Sequence, residues 1–205
     1  GYKINYTSTQ VIKEIINELS GHSINEFASK EFYEPLGMWH TTYLSLKKFS
    51  KAQITPTEND TYFRKEVVHG FVHDPGAAML GGIGGHAGLF SNANDLGKLM
   101  YMLINEAEYP GKKYLSKEVI QQYTSCQFCE TNRRAAGFDK PVAEGGGPTC
   151  DSISLNSFGH SGFTGTITWA DPDEKVVYVF LSNRVYPSAE NSKLVKMNIR
   201  TNIQK

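Results

Sequence analysis

Two late stretches of the chain, Phe158 to Trp169 and Val176 to Val185, are dense in aromatic and β-branched residues, and they are separated by Asp171-Pro-Asp-Glu174. Side chains of that kind fit a pleated surface, and a polar, proline-containing break between two such runs predicts an antiparallel hairpin. What precedes the hairpin has a different period. Val11, Ile12, Ile15, Ile16 and Leu19 recur at helical spacing after a Ser8 or Thr9 cap, and Gly21 follows them. Ser23-Ile-Asn-Glu26 has capping-box spacing and predicts a second helix that stops at Pro35-Leu-Gly37. Ser91 caps a third helix carrying Leu96, Leu99, Met100 and Leu103, and Ser116 starts a shorter one through Val119, Ile120 and Tyr123. A last helix is expected over 188–204, with Leu194, Met197 and Ile203 as its buried side. Helices first, a hairpin late and a closing helix indicate an α+β fold in which helices pack on an antiparallel sheet.

Two regions lack such periods. Residues 41–88 are rich in Gly, Pro, Thr and His, and a stretch of that length without regular elements reads as a packed, site-forming loop region. Residues 133–156 are glycine-rich and polar and read as an exposed loop. No internal repeat and no second domain is visible. At 205 residues, 40% of them hydrophobic, the chain can bury a real core. Lys and Arg number 21 and Asp and Glu 21, with no basic stripe, which argues against a nucleic-acid partner. The apolar runs are too short for a membrane span. Cys126 and Cys129 have C-x-x-C spacing, but no second pair completes a zinc site, so ordinary thiols are expected, Cys150 included.

The chemistry concentrates in Phe158-Gly-His160-Ser161-Gly162-Phe163-Thr-Gly165. Glycine in a strand lets a backbone or ligand come close, and an imidazole can move protons or hold an anion. The plainer alternative is a partly buried, hydrogen-bonded histidine beside a bulge. Tyr6-Thr7-Ser8 ahead of a helix is equally open to a packing role.

These blocks occur in a recognisable order. Tyr6-Thr-Ser8 before an amphipathic helix, Ser20-Gly21-His-Ser23, Glu34-Pro-Leu-Gly-Met38 with Thr41, and Gly85-His-Ala-Gly-Leu-Phe-Ser91 with Asp95-Leu96 are followed by Phe158 to Gly165 and by Phe180-Leu-Ser-Asn-Arg184. The set resembles the serine β-lactamase and penicillin-binding-protein-like hydrolases of class C type, above all the modules found fused to family 3 glycoside hydrolases. The resemblance implies a β-lactamase/transpeptidase-like fold of which residues 1–205 form a single partial domain, its C-terminal part, with the N-terminal helix and first strands missing. It implies a serine acyl hydrolase acting through an acyl-enzyme on a cell-wall-type D-amino-acid peptide, a β-lactam or a small ester. No cofactor and no metal are implied. Partners would be that substrate and the upstream part of the same protein, with a fused glycosidase, in the periplasm or cell envelope of a bacterium.

Roles follow by position. Tyr6 matches the tyrosine that exchanges a proton with the nucleophile or leaving group, and His160 the cationic or proton-carrying residue of the last motif. Ser161 matches that motif's hydroxyl, Gly162 its glycine, and the Phe163 backbone N–H one oxyanion-hole donor. Ser8 stands where the family has Asn or Asp, and its short hydroxyl cannot make an amide's paired hydrogen bonds. The family's nucleophilic serine and its lysine lie upstream of the tyrosine, so the nucleophile is expected outside this chain and the fragment alone inactive. Ser45-Leu-Lys-Lys48 has the S-x-x-K form but follows the tyrosine in an irregular stretch, and is rejected. Gly159-His-Ser161-Gly162-Phe163 fails the G-x-S-x-G pattern at its last position.

His69, His73, Asp74 and His86 could ligate a metal, but their spacing fits no helix-borne motif and favours structural hydrogen bonding. Gly82-Ile-Gly84-Gly-His-Ala87 lacks the strand that a dinucleotide fingerprint follows. Trp169, Tyr178 and Phe180 are expected in the core. A non-catalytic module that binds cell-wall fragments or supports an attached glycosidase is the competing reading.

Overall fold

The computed structural model describes residues 6–128, 132–142 and 147–205, with the side chains of Tyr6 and Thr7 outside the description. The chain divides into two compact units, residues 1–92 with 185–190, and 93–184 with 191–205.

The first unit opens with α1, Tyr6–Ser20, which already contains Ser8 and Thr9, so neither caps it. Gly21 ends it at φ +68°, where the Gly21 N–H reaches the Asn17 carbonyl at 3.0 Å. The apolar stripe read from the sequence is there but is not covered: Val11, Ile12, Ile15 and Leu19 are all at least half exposed. Ser23 forms the expected capping box with Glu26 and starts α2, Ile24–Ala28, which runs on through a π turn at Ser29–Tyr33. Leu36 and Met38, beside the Pro-Leu-Gly stop, are fully buried.

The loop-like stretch that follows is more regular than its sequence. It contains an antiparallel hairpin, β1 at Pro56–Asp60 and β2 at Glu66–His69, and a short α3 at Pro75–Met79 capped by Asp74. Val68, Val72 and Ala77 from this stretch join the core, and the Asn59 N–H pairs with the Pro187 carbonyl at 3.1 Å. Polar β1 has no apolar alternation, so period-based reading passes over it.

The second unit begins with α4, Ala93–Ile104, and α5, Lys117–Thr124, the latter capped by the Ser116 side chain on the Val119 N–H. β3 at Cys126–Phe128 pairs with β4 at Asn132–Ala135. The sheet that matters most is three-stranded and antiparallel. The first apolar run splits into β5, Phe158–Ser161, and β6, Ile167–Asp171, and the second supplies β7, Val176–Phe180. The Asp171 carboxylate closes the β6–β7 turn by accepting from the N–H groups of Asp173 and Glu174, and it also holds Ser154. α4 packs on β6 and β7. Phe158, Ile167, Trp169 and Ala170 are buried, and the indole N–H donates to Ser157 Oγ at 3.0 Å, so the large ring carries no unsatisfied donor.

Four sequence expectations need correction here. Residues 133–156 are not simply an exposed loop, because Asp139, Lys140 and Cys150 are buried and Asp139 bridges to Gly159 on β5. The closing helix is two short ones, α6 at Lys193–Lys196 and α7 at Ile199–Gln204, broken at Asn198 with φ +50°. Met197 and Ile203 are exposed rather than buried. Cys126 is disulfide-bonded, not a free thiol, whereas Cys150 is free and buried; Cys129 lies outside the described residues.

Candidate active site

Two constellations carry the residues singled out in the sequence, one in each unit. In the first unit Tyr6 is the first residue of α1 and Ser8 is exposed in the same turn. The Gly84-Gly85 loop lies directly on this end of the helix. A Cβ on Gly85 would come within 2.1 Å of the Thr9 carbonyl oxygen, so only glycine permits the approach. Next to it His86 Nε2 donates to Asp74 Oδ1 at 2.8 Å, and Gln10 Nε2 contacts His86 Nδ1 at 2.9 Å. A carboxylate can only accept, so His86 Nε2 carries a hydrogen toward Asp74. Gln10 Oε1 is buried without a hydrogen-bond partner among the described residues. Burial pushes the Asp74 carboxyl up, but the bonds from the Ala77 N–H and from His86 outweigh it and hold the group below the usual carboxylate range.

The four residues considered as metal ligands are each engaged in the protein's own bonding. His69 Nε2 donates to the Ile54 carbonyl at 2.6 Å, His73 Nε2 lies 3.2 Å from Glu58 Oε2, and Asp74 pairs with His86. Ser45 is 1% exposed and its hydroxyl donates to the Gly70 carbonyl at 2.9 Å, so it is a packing residue.

In the second unit β5 carries His160 and Ser161 opposite Thr168 and Ile167 of β6. The glycine before them is explained within the sheet: a Cβ on Gly159 would meet the Thr168 carbonyl oxygen at 2.2 Å and the Trp169 ring at 2.5 Å. His160 is exposed, and its Nδ1 lies 2.9 Å from the Ser161 carbonyl. A carbonyl only accepts, so Nδ1 carries the hydrogen and any neutral form of His160 has its lone pair on Nε2. A tight turn follows, in which the Gly162 N–H donates to the Thr166 carbonyl at 2.8 Å and the Gly165 N–H to the Gly162 carbonyl at 3.0 Å. Phe163 sits on this turn and is 63% exposed as a residue. An exposed imidazole with a fixed tautomer, a neighbouring hydroxyl and a rigid turn form a surface able to receive an anionic or carbonyl-bearing group.

Sequence reading placed His160, Ser161, Gly162 and Phe163 together, and the structure keeps them together. It missed Gln10, whose partner is 76 positions away, and the Arg184 contacts with the turn. A charged residue next to the end of the apolar run Val176 to Val185, and an Asp before Pro75 at a helix start, were the local signals.

The family described as Beta-lactamase matches residues 4–197. A relative from Escherichia coli strain K12, named provisionally as a D-alanyl-D-alanine carboxypeptidase, is 32% identical over 197 residues, covering 87% of this chain and 44% of that protein. A Salmonella typhi relative of the same name is 31% identical over 193 residues, covering 88% and 44%. The chain thus spans less than half the length of these relatives. Among solved structures, a β-lactamase from Mycobacterium bovis aligns with TM-score 0.61 at 19% identity, over 96% of this chain and 64% of its own. The octameric penicillin-binding protein homologue from Pyrococcus abyssi aligns with TM-score 0.63 at 20% identity, over 95% and 41%. At those identities the two structures establish the fold.

Proposed function

Because the chain belongs to the β-lactamase family, we propose that the protein it comes from is a serine acyl hydrolase that works through a covalent acyl-enzyme. The nucleophilic serine lies upstream of Tyr6. Its Oγ attacks the substrate carbonyl, the C–N or C–O bond breaks, the leaving group takes a proton, and water then hydrolyses the ester. Tyr6 exchanges that proton. His160 supplies the charge or hydrogen bond that holds the substrate carboxylate, with Ser161 and Gly162 beside it, and Ser8 is a further substrate-binding residue. The Phe163 N–H receives charge on the carbonyl oxygen as it develops. The substrate class is a peptide ending in D-alanine, in keeping with the relatives' name, with β-lactams and small esters as further acyl donors. The setting is a bacterial cell envelope, and a fused glycosidase is a partner in keeping with the sequence resemblance.

The observation that carries this reading is the β5 end and its turn, where an exposed His160 of fixed tautomer, Ser161 and Phe163 stand together. The use of Ser45 in packing supports a nucleophile elsewhere. The half-exposed apolar stripe of α1 supports a further portion of the protein that covers it. Ser8, exposed where the family has an amide, favours the competing reading of a module that binds cell-wall fragments without cleaving them.

Covalent labelling read by mass spectrometry separates these. A reactive β-lactam and a fluorophosphonate are offered to this chain and to a polypeptide extended upstream. Labelling of the longer one alone, on an upstream serine, is expected. Labelling at Ser45 or Ser161 overturns the assignment of the nucleophile, and no labelling of either favours the binding module.

A further inference from the structure

We infer that Arg184 is a positioning residue that fixes the orientation of the Phe163 peptide, and hence of the oxyanion donor. This rests on the acyl-transfer reading above and adds a residue to it.

The Phe163 N–H belongs to the same peptide plane as the Gly162 carbonyl. That carbonyl is turned inward, accepting from the Gly165 N–H at 3.0 Å. In a trans peptide the N–H points opposite to the carbonyl, so the Phe163 N–H is directed away from the inside of the turn. The next plane is held by Arg184, whose Nε–H donates to the Phe163 carbonyl at 2.9 Å. The Arg184 backbone N–H holds the plane after that, donating to the Thr164 carbonyl at 3.0 Å. The guanidinium also lies over the Phe163 ring, 4.6 Å from its centroid, and its Nη1 is anchored on the Asn191 carbonyl at 3.2 Å. Three successive peptide planes are thereby fixed, two of them by one residue.

The contact is close as well as polar. Gly165, at φ +102°, packs so tightly that a Cβ would meet Ser182 Oγ at 2.3 Å and Arg184 Cγ at 3.3 Å. Arg200 of α7 adds bonds to the Gly165 and Thr166 carbonyls at 3.4 and 3.2 Å. Only a planar guanidinium can donate from Nε in its plane while its face covers the ring, so lysine cannot reproduce the geometry. An oxyanion donor acts through placement, and a loosened plane weakens the transition state more than the bound substrate.

The test uses the intact parent protein and its Arg184→Lys and Arg184→Ala variants, with a D-alanine-ending peptide or a chromogenic β-lactam as acyl donor. The expected result is a kcat about 10- to 100-fold lower, a KM within about threefold of the unsubstituted protein, and affinity for a boronic acid transition-state analogue lowered in parallel with kcat. Faster amide exchange over residues 162–166 accompanies it. A folded Arg184→Lys variant with kcat within about threefold and unchanged exchange overturns the inference. So does a loss of thermal stability with kcat and KM unaltered, which marks a purely structural clasp. An unsubstituted protein that turns over neither donor and is not acylated sinks the acyl-transfer reading itself, a result distinct from either of these.

Discussion

Asp60 shows how much of a loop one carboxylate can hold. Oδ1 accepts from the N–H groups of Tyr62 and Phe63, both at 2.9 Å, and Oδ2 accepts from the Arg64 N–H at 2.8 Å and from its Nε at 3.2 Å. The bonds from the Arg64 and Phe63 N–H groups hold the carboxyl far below the usual carboxylate range, against its burial. An amide offers only one accepting oxygen, so Asp60→Asn should lower the unfolding free energy by about 1–3 kcal/mol near neutral pH, read by urea denaturation. The folded carboxyl ionises more readily than the unfolded one. Its contribution is therefore present above the unfolded value near pH 4 and is lost as pH falls below it, and the deficit of the variant should shrink over that range. Lys140 is shifted in the same direction but for a different reason. Burial lowers its ammonium from 10.5 to about 8, against the charges of Asp171 and Asp173, while Nζ donates to the Asn156 carbonyl at 2.8 Å. Between about pH 8 and 10 the unfolded chain binds more protons than the folded one, so stability should rise with pH across that window. Denaturation midpoints of Lys140→Met should lack this rise when compared with the unsubstituted chain at each pH.

At the scale of elements, caps and periods were legible and turns were not. The Ser23 and Ser116 caps stand where the sequence put them, because a hydroxyl oxygen that accepts from the N–H three residues on is a local device. β5 and β6 read as one run because the Gly162–Thr166 turn between them is closed by Arg184 and Arg200, about twenty and thirty-five positions on. β1 escaped notice because Pro56-Thr-Glu-Asn-Asp60 owes its place to hydrogen bonds rather than to an apolar face. Gly159 is the point at which the β5–β6 pair is most exacting. A methyl group there meets the Thr168 backbone and the Trp169 ring together, and backbone cannot move aside as a flexible side chain can. Gly159→Ala should therefore cost at least about 3 kcal/mol, or prevent folding, as seen in the melting temperature and the near-UV signal of Trp169. A loss under about 1 kcal/mol would show that β5 can shift to make room.

At the scale of the molecule, the first unit presents an apolar helix stripe that its own residues leave exposed, with Leu19 at 84%. Such a surface binds hydrophobic dyes and drives self-association. Replacing Val11, Ile15 and Leu19 together by lysine should reduce dye binding and light scattering while moving stability by no more than about 0.5 kcal/mol per position. If the triple variant unfolds, the stripe is part of the chain's own core. No helix among the described residues is long and apolar enough to cross a membrane.

The amino-acid sequence by itself determined the α+β class, the order of the motifs, the helix starts at Ser23 and Ser116, and the grouping of His160, Ser161, Gly162 and Phe163, because each is written in neighbours a few residues apart. Tertiary structure alone decided which apolar faces are covered, that Met197 and Ile203 face outward, and that Gly159 serves the Trp169 ring. It also decided which distant groups meet, Gln10 with His86 and Arg184 with Phe163. A period records that one side of an element is apolar. What lies against that side is fixed by chain closure over tens of residues, which no local pattern encodes.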